Sequence, residues 1–124
     1  MTTALWCLLI AGLLPIVCAG ISKWGASDFD NANPRDWLAR QEGHRKRAYS
    51  AQANSWEAFA LFSTAVLVAL HQKADPEQLD RLAVFFIVSR VLYIVFYLVD
   101  RSTLRSLAWL AGLITTFTIF ASGA

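Results

Sequence analysis

The stretch Ala48-Tyr49-Ser50-Ala51-Gln52-Ala53-Asn54-Ser55-Trp56-Glu57-Ala58-Phe59-Ala60-Leu61-Phe62-Ser63-Thr64-Ala65-Val66-Leu67-Val68-Ala69-Leu70 has a single charged residue, Glu57. A bilayer-spanning helix needs about 20 largely apolar residues, within a range of about 17 to 25. The stretch meets that length, so it reads as a transmembrane helix with one carboxylate inside it.

Three further apolar segments flank it. Leu82 to Val99 has only Arg90 as a charge, and Ala4 to Ile21 has none. Leu107 to Ala121 is short, and Leu104 and Arg105 extend it toward the membrane surface. The expectation is an all-α integral membrane four-helix bundle, one domain over residues 1–124, with helices near 3–23, 47–71, 77–100 and 103–122. Composition agrees: of the 124 residues, 56% are hydrophobic and 16% charged, against roughly 25% charged in soluble domains. The net charge of +2 and the lack of a basic patch interleaved with aromatics argue against nucleic-acid binding. Met1 to Trp6 has no basic residue, so the first segment is expected to stay as a span rather than be removed as a signal peptide. Cys7 and Cys18 share that segment, roughly 16 Å apart along a helix. They cannot bridge within it, and read as small buried apolar residues.

The connections carry helix punctuation. Asn33-Pro34 breaks regular structure. Asp75-Pro76-Glu77 reads as an N-cap, a first helical residue and an acid in the first turn, and Ser102 reads as the N-cap of the last helix. The only sizeable loop is Trp24 to Lys46. Short loops two and three make consecutive helices antiparallel neighbours. Loops one and three share a side that holds Lys23, Arg35, Arg40, Arg45, Lys46, Arg47, Arg101 and Arg105, whereas the other side has Lys73 and Arg81. The positive-inside rule then places loops one and three in the cytoplasm and both termini outside. Trp6, Trp24, Trp37 and Trp109 read as interfacial anchors.

Two ionisable residues, Glu57 and Arg90, fall inside spans. On insertion scales a charge at a helix centre costs ~2.5–3.5 kcal/mol for Arg, Lys or Asp, which makes such residues functional candidates. Each lies ten residues from the cytoplasmic surface, roughly 15 Å deep at 1.5 Å per residue. Opposite charges at one depth on antiparallel neighbours can pair. At 100° per residue, Ser50, Asn54 and Glu57 fall within about 60° of each other, and Arg90, Tyr93, Tyr97 and Arg101 within about 80°. Gln52 points away from the Glu57 face. The two stripes describe a polar cleft in the inner leaflet that suits an anionic, amphipathic or zwitterionic ligand. The competing reading is a buried Glu57–Arg90 pair that only fixes helix register, with Asn54 as an interhelical hydrogen bond. His44 lies in the loop and His71 at the far end of the second span, both read as solvated. No His, Cys or carboxylate spacing suggests a metal, and no nucleophile-elbow or phosphate-loop motif is present.

The run Arg47 to Phe62 follows R-x-Y-x-A-Q-x-N-x-x-E-x-F. It resembles the second-helix signature of the membrane-associated proteins in eicosanoid and glutathione metabolism, the MAPEG family of leukotriene C4 synthase and microsomal glutathione transferase. Arg90-Val91-Leu92-Tyr93 with Tyr97 resembles the family's third-helix R-x-x-Y-x-x-x-Y. The Leu104-Arg105-Ser106 turn is similar too, and Asn33-Pro34-Arg35 is typical of the bacterial branch. The resemblance covers roughly residues 31 to 112.

The resemblance implies a homotrimer in a bacterial inner membrane, with glutathione as co-substrate bound between subunits near the cytoplasmic side. It further implies that Asn54, Glu57, Arg90, Tyr93 and Tyr97 contact glutathione and that Gln52 reaches a neighbouring subunit's site. Arg105 is the best match to the arginine that activates the thiol, with Arg101 as the alternative and Tyr97 as a helper. Two positions depart from leukotriene C4 synthase: Ser50 replaces a glutathione-binding arginine, and Lys23 is the only basic residue near the end of the first helix. The implied activity is a glutathione transferase or peroxidase acting on a hydrophobic second substrate, a lipophilic electrophile concentrated by the bilayer. The alternative is a non-catalytic membrane protein that binds a lipid or another small molecule.

Overall fold

The computed structural model describes residues 1–124 and contains five helices: α1 (Thr3–Lys23), α2 (Pro34–Ala39), α3 (Gly43–His71), α4 (Pro76–Leu98) and α5 (Ser102–Ala121). All but α2 are long and apolar enough to cross a membrane, and together they form a four-helix bundle. The closest pairs are α1 with α3 and α4 with α5, with smaller contacts of α1 on α4 and of α3 on α5 and α4. The exterior is apolar: Leu9, Ile16, Leu67, Phe85, Leu107, Ile114 and Phe117 are each more than half exposed. In water such a surface would be a large association patch; in hydrocarbon it is the expected one.

Helix ends account for their free backbone groups in detail. At the start of α1, Leu5 N donates to Thr2 Oγ1 at 3.3 Å and Ala4 N donates to Asp80 Oδ1 of α4 at 2.8 Å. Asp75 caps α4 by accepting from Gln78 N at 2.9 Å, with Pro76 at the first turn and Glu77 behind it. α3 and α4 close in the same way, through a Schellman motif. Lys73 and Asp100 adopt φ of 59° and 60°, and the residue after each, Ala74 and Arg101, donates back to Ala69 O and Phe96 O. Ser102 is therefore the first residue of α5 rather than its cap; Arg101 holds the cap position and makes no side-chain cap bond.

The first loop is more ordered than its sequence suggests. Pro34 opens a short helix instead of merely ending structure, because a proline's missing N–H costs nothing at a first helical position. Asp30 organises the approach, accepting from the backbone N–H groups of Ala32 and Asn33. The bond from Ala32, then that from the Asn33 side chain, holds the Asp30 carboxyl below the usual carboxylate range. Trp37 is not an interfacial anchor. It is 3% exposed, packed edge-on to Phe29 at 5.1 Å with the Arg45 guanidinium 5.9 Å from its ring centroid. Arg45 also donates to Ser22 O at 3.0 Å, so it caps the end of α1. That bond belongs to a first turn of α3 that starts at Gly43, four residues before the expected Arg47.

Small residues set how closely the helices approach. Ala11 and Ala65 are buried in the core of the terminal half. Gly12 faces the Phe59 ring, where a Cβ would sit 3.4 Å from it, and a Cβ on Gly112 would lie 3.1 Å from Ser89 Oγ. Phe62 of α3 and Phe86 of α4 stack at 3.9 Å, nearly parallel. A second, smaller core of Cys18, Ala51, Tyr93, Ile94 and Ala108 fills the loop-one half. Both cysteines are free and buried.

Candidate functional site

Arg90 is the one charged side chain buried in the bundle, at 2% exposure. α4 aims it at α3, where its Nη2 donates to Asn54 Oδ1 at 2.9 Å and to Ser55 Oγ at 3.2 Å. The guanidinium lies 4.1 Å from the centroid of the Tyr93 ring. The Glu57–Arg90 ion pair that their shared depth allows does not form. The chain's only ion pairs are Lys46–Glu42 and Arg81–Glu77, both between exposed side chains one helical turn apart. Asn54 occupies the line of approach to Arg90, and Glu57, about 60° further round α3, is exposed. The neutral amide and hydroxyl satisfy part of the guanidinium's fork of donors and leave its charge uncompensated.

From Arg90 the site runs outward as a ladder of two rings held between two cations. Tyr93 meets Tyr97 edge-on at 5.7 Å, and the Arg105 guanidinium sits 4.4 Å from the Tyr97 ring centroid. Tyr93 is buried, whereas Tyr97 and Arg105 are half-buried, so the ladder climbs from the bundle interior to its surface. Each cation–π contact is worth ~0.5–2 kcal/mol, more where water is excluded. Arg105 lies in the first turn of α5, where the helix dipole disfavours a cation by about 0.3–1 kcal/mol. The same dipole adds to the attraction that Arg105 exerts on an anion.

Two clefts open along this ladder between α3 and α5. The deeper one, about 130 Å³, has Glu57 and Arg90 beside apolar walls that include Leu61, Phe86 and Leu113. The outer one, about 240 Å³, is lined by Asn54, Tyr93, Tyr97, Arg105, Ser106 and Trp109. Asn54 and Trp109 belong to both, so a polar mouth passes into an apolar chamber.

The sequence-predicted residues divide accordingly. Asn54, Glu57, Arg90, Tyr93, Tyr97 and Arg105 converge on the two clefts. Arg101 does not: it is exposed on the turn beside Asp100 and Ser102. Gln52 lies outside both clefts, half-buried, and its carbonyl oxygen has no hydrogen-bond partner. Ser50 is half-buried one turn before Asn54. Sequence reasoning missed Ser55, although a buried arginine needs more than one acceptor and Ser55 adjoins Asn54. It also missed Trp109 as a residue of the site: one turn after Arg105, it lies on the same helix face, at the junction of the clefts.

A cationic mouth with tyrosine hydroxyls can hold and ionise an acidic group, and the apolar chamber beneath can seat a hydrophobic reactant next to it. The model of the MAPEG family matches residues 3–124, essentially the whole chain. No curated protein and no solved structure matches it.

Proposed function

Because the chain belongs to the MAPEG family, the membrane-associated proteins of eicosanoid and glutathione metabolism, we propose that it is a glutathione-dependent transferase or peroxidase acting on lipophilic electrophiles. The observation that carries this reading is the Arg90–Tyr93–Tyr97–Arg105 ladder opening onto a cleft with an apolar chamber. Glutathione carries two carboxylates, an ammonium and a thiol. The free donors of Arg90 suit a carboxylate, and the exposed Glu57 carboxylate suits the ammonium. Arg105 and the Tyr97 hydroxyl receive the sulfur. A free thiol titrates near ~8.5, and the thiolate is the nucleophile; a guanidinium that never loses its proton favours that anion. The thiol proton leaves to water at the cleft mouth, and the thiolate then forms a bond to the electrophilic carbon as the leaving group departs with its electron pair.

Two features support self-association, for which the family resemblance implies a homotrimer. Glu57 is a charge on the outer face of a membrane-spanning helix, costly against hydrocarbon, and the Gln52 carbonyl oxygen lacks a partner. A second copy against α3 covers the first and brings Gln52 to a neighbouring site. Loops one and three face the cytoplasm of a bacterium with the protein in its inner membrane; labelling of a cysteine placed at Arg40 from the periplasmic side alone would contradict this orientation.

Ser50, standing where the family has a glutathione-binding arginine, favours a second reading: a non-catalytic protein that holds a lipid or other small molecule in the same cleft. Calorimetry with glutathione on the purified protein, followed by turnover with a hydrophobic aromatic halide, separates the two. Binding with turnover supports the enzyme. Binding without turnover supports the second reading, and absence of binding overturns the proposed function.

A further inference from the structure

We infer that Arg47, which touches neither cleft, is a positioning residue that holds Tyr97 and Arg105 in register. This rests on the glutathione-dependent reading above and assigns a role to a side chain that the mechanism does not otherwise use.

The last four carbonyls of a helix such as α4 have no partner within it. Here Val95 O accepts from Val99 N at 3.0 Å, Phe96 O from Arg101 N at 2.8 Å and Tyr97 O from Asp100 N at 3.2 Å. Leu98 O is left over by the Schellman geometry, and Arg47 Nε of α3 donates to it at 3.3 Å. This is the only side-chain hydrogen bond made to residues 96–105 from another helix. The charge is also well placed, because a cation at a helix C-terminus is favoured by about 0.3–1 kcal/mol.

The position of this bond matters more than its strength. Leu98 follows Tyr97 directly, and the connection to α5 is only Val99 to Arg101. Asp100 within it holds the left-handed conformation, which a residue with a Cβ adopts only at a cost. Arg105 N then bonds to Arg101 O at 2.9 Å, so the first turn of α5 grows straight from this corner. The 4.4 Å stacking of Arg105 on Tyr97 therefore depends on the angle at a three-residue turn whose one side-chain hydrogen bond from another helix comes from Arg47. Arg45, two residues earlier, braces the end of α1 through Ser22 O. Arg45 and Arg47 project from α3 about 200° apart and tie both neighbours at the same level, but only the Arg47 contact adjoins the site.

The test uses the full-length protein in detergent, with Arg47→Ala, Arg47→Lys and the wild type. Four quantities are read: glutathione affinity by calorimetry, the pH of half-maximal bound-thiolate absorbance, kcat and KM with a hydrophobic aromatic halide, and melting temperature. Arg47→Ala is expected to change glutathione affinity by less than about threefold and to lower kcat by about tenfold, in keeping with misplacement of a reacting group by a fraction of an ångström. It is also expected to move the thiolate titration up toward the ~8.5 of a free thiol. Arg47→Lys restores part of that shift and, if the alanine variant fails to fold, carries the test alone with an intermediate titration. A wild-type thiolate signal that both variants leave unmoved overturns this inference and leaves the functional reading standing. No thiolate signal in the wild type overturns both.

Discussion

Replacing Asn54 should damage the bundle far more than replacing Glu57, although Glu57 is the residue that opposite charge assigns to Arg90. Arg90 is 2% exposed and gives Nη2 to Asn54 Oδ1 at 2.9 Å, while no carboxylate comes within 4.0 Å of it. A hydrogen bond to a charged group is worth about 1.5–3 kcal/mol in soluble proteins. Interhelical hydrogen bonds within membranes average about 0.6 kcal/mol and reach about 1.7. A charged donor with only one other acceptor, Ser55, belongs at the upper end of the membrane range. Asn54→Ala is therefore expected to cost about 1.5–2 kcal/mol, and the Asn54/Arg90 double-mutant cycle to give a coupling of at least about 1 kcal/mol. The Glu57/Arg90 cycle should stay under about 0.5 kcal/mol. The assay is reversible unfolding in mixed micelles without glutathione, so that ligand binding does not contribute. A larger coupling for Glu57 than for Asn54 would refute the geometry and restore the buried ion pair.

Other outcomes follow from the same contacts. Arg105→Ala should remove most turnover, whereas Arg101→Ala, on the exposed turn outside the clefts, should keep it; steady-state kinetics with glutathione and a hydrophobic electrophile decide between them, and the reverse pattern moves the thiol-activating role to Arg101. Gly112→Val should destabilise the bundle by about 1–3 kcal/mol through overpacking, because a Cβ there already lies 3.1 Å from Ser89 Oγ and 3.7 Å from Arg90 Cδ; melting in detergent reads the loss, and glutathione affinity should weaken as Arg90 is displaced. Lys73→Gly should raise the melting temperature, by about 0.5–1 kcal/mol of stability, since Lys73 holds a φ of 59° and a left-handed residue with a Cβ costs about 1–2 kcal/mol, more than the backbone entropy glycine adds to the unfolded chain.

The four spans were legible because hydropathy and length are properties of single segments. The polar stripes were legible for a similar reason: helical periodicity says which residues share a face. Periodicity does not resolve which of two residues about 60° apart meets a partner helix: shared depth allows a Glu57–Arg90 pair, whereas Asn54 and Ser55 take the contact. The choice between Arg101 and Arg105 depended on a turn. Asp100, in a left-handed conformation, resets the helical phase between α4 and α5, so a count carried through from Arg90 brings Arg101 onto the stripe while the folded chain brings Arg105. Trp37 was misplaced because its burial depends on Phe29 and Arg45, partners supplied by the fold of an irregular loop. The start of α3 was set too late because a basic run resembles a membrane boundary, whereas Arg45 to Arg47 continue the helix past the apolar segment and reach the ends of its neighbours.

The ultraviolet difference spectrum of bound thiolate at neutral pH tests most directly whether the mouth of the cleft ionises glutathione. Glutathione added to the purified wild-type protein is expected to give a saturable thiolate band, and Arg105→Ala to lose that band while calorimetry still finds glutathione bound. Glutathione that binds the wild type with its thiol protonated, or a thiolate band that survives in Arg105→Ala, would contradict the account.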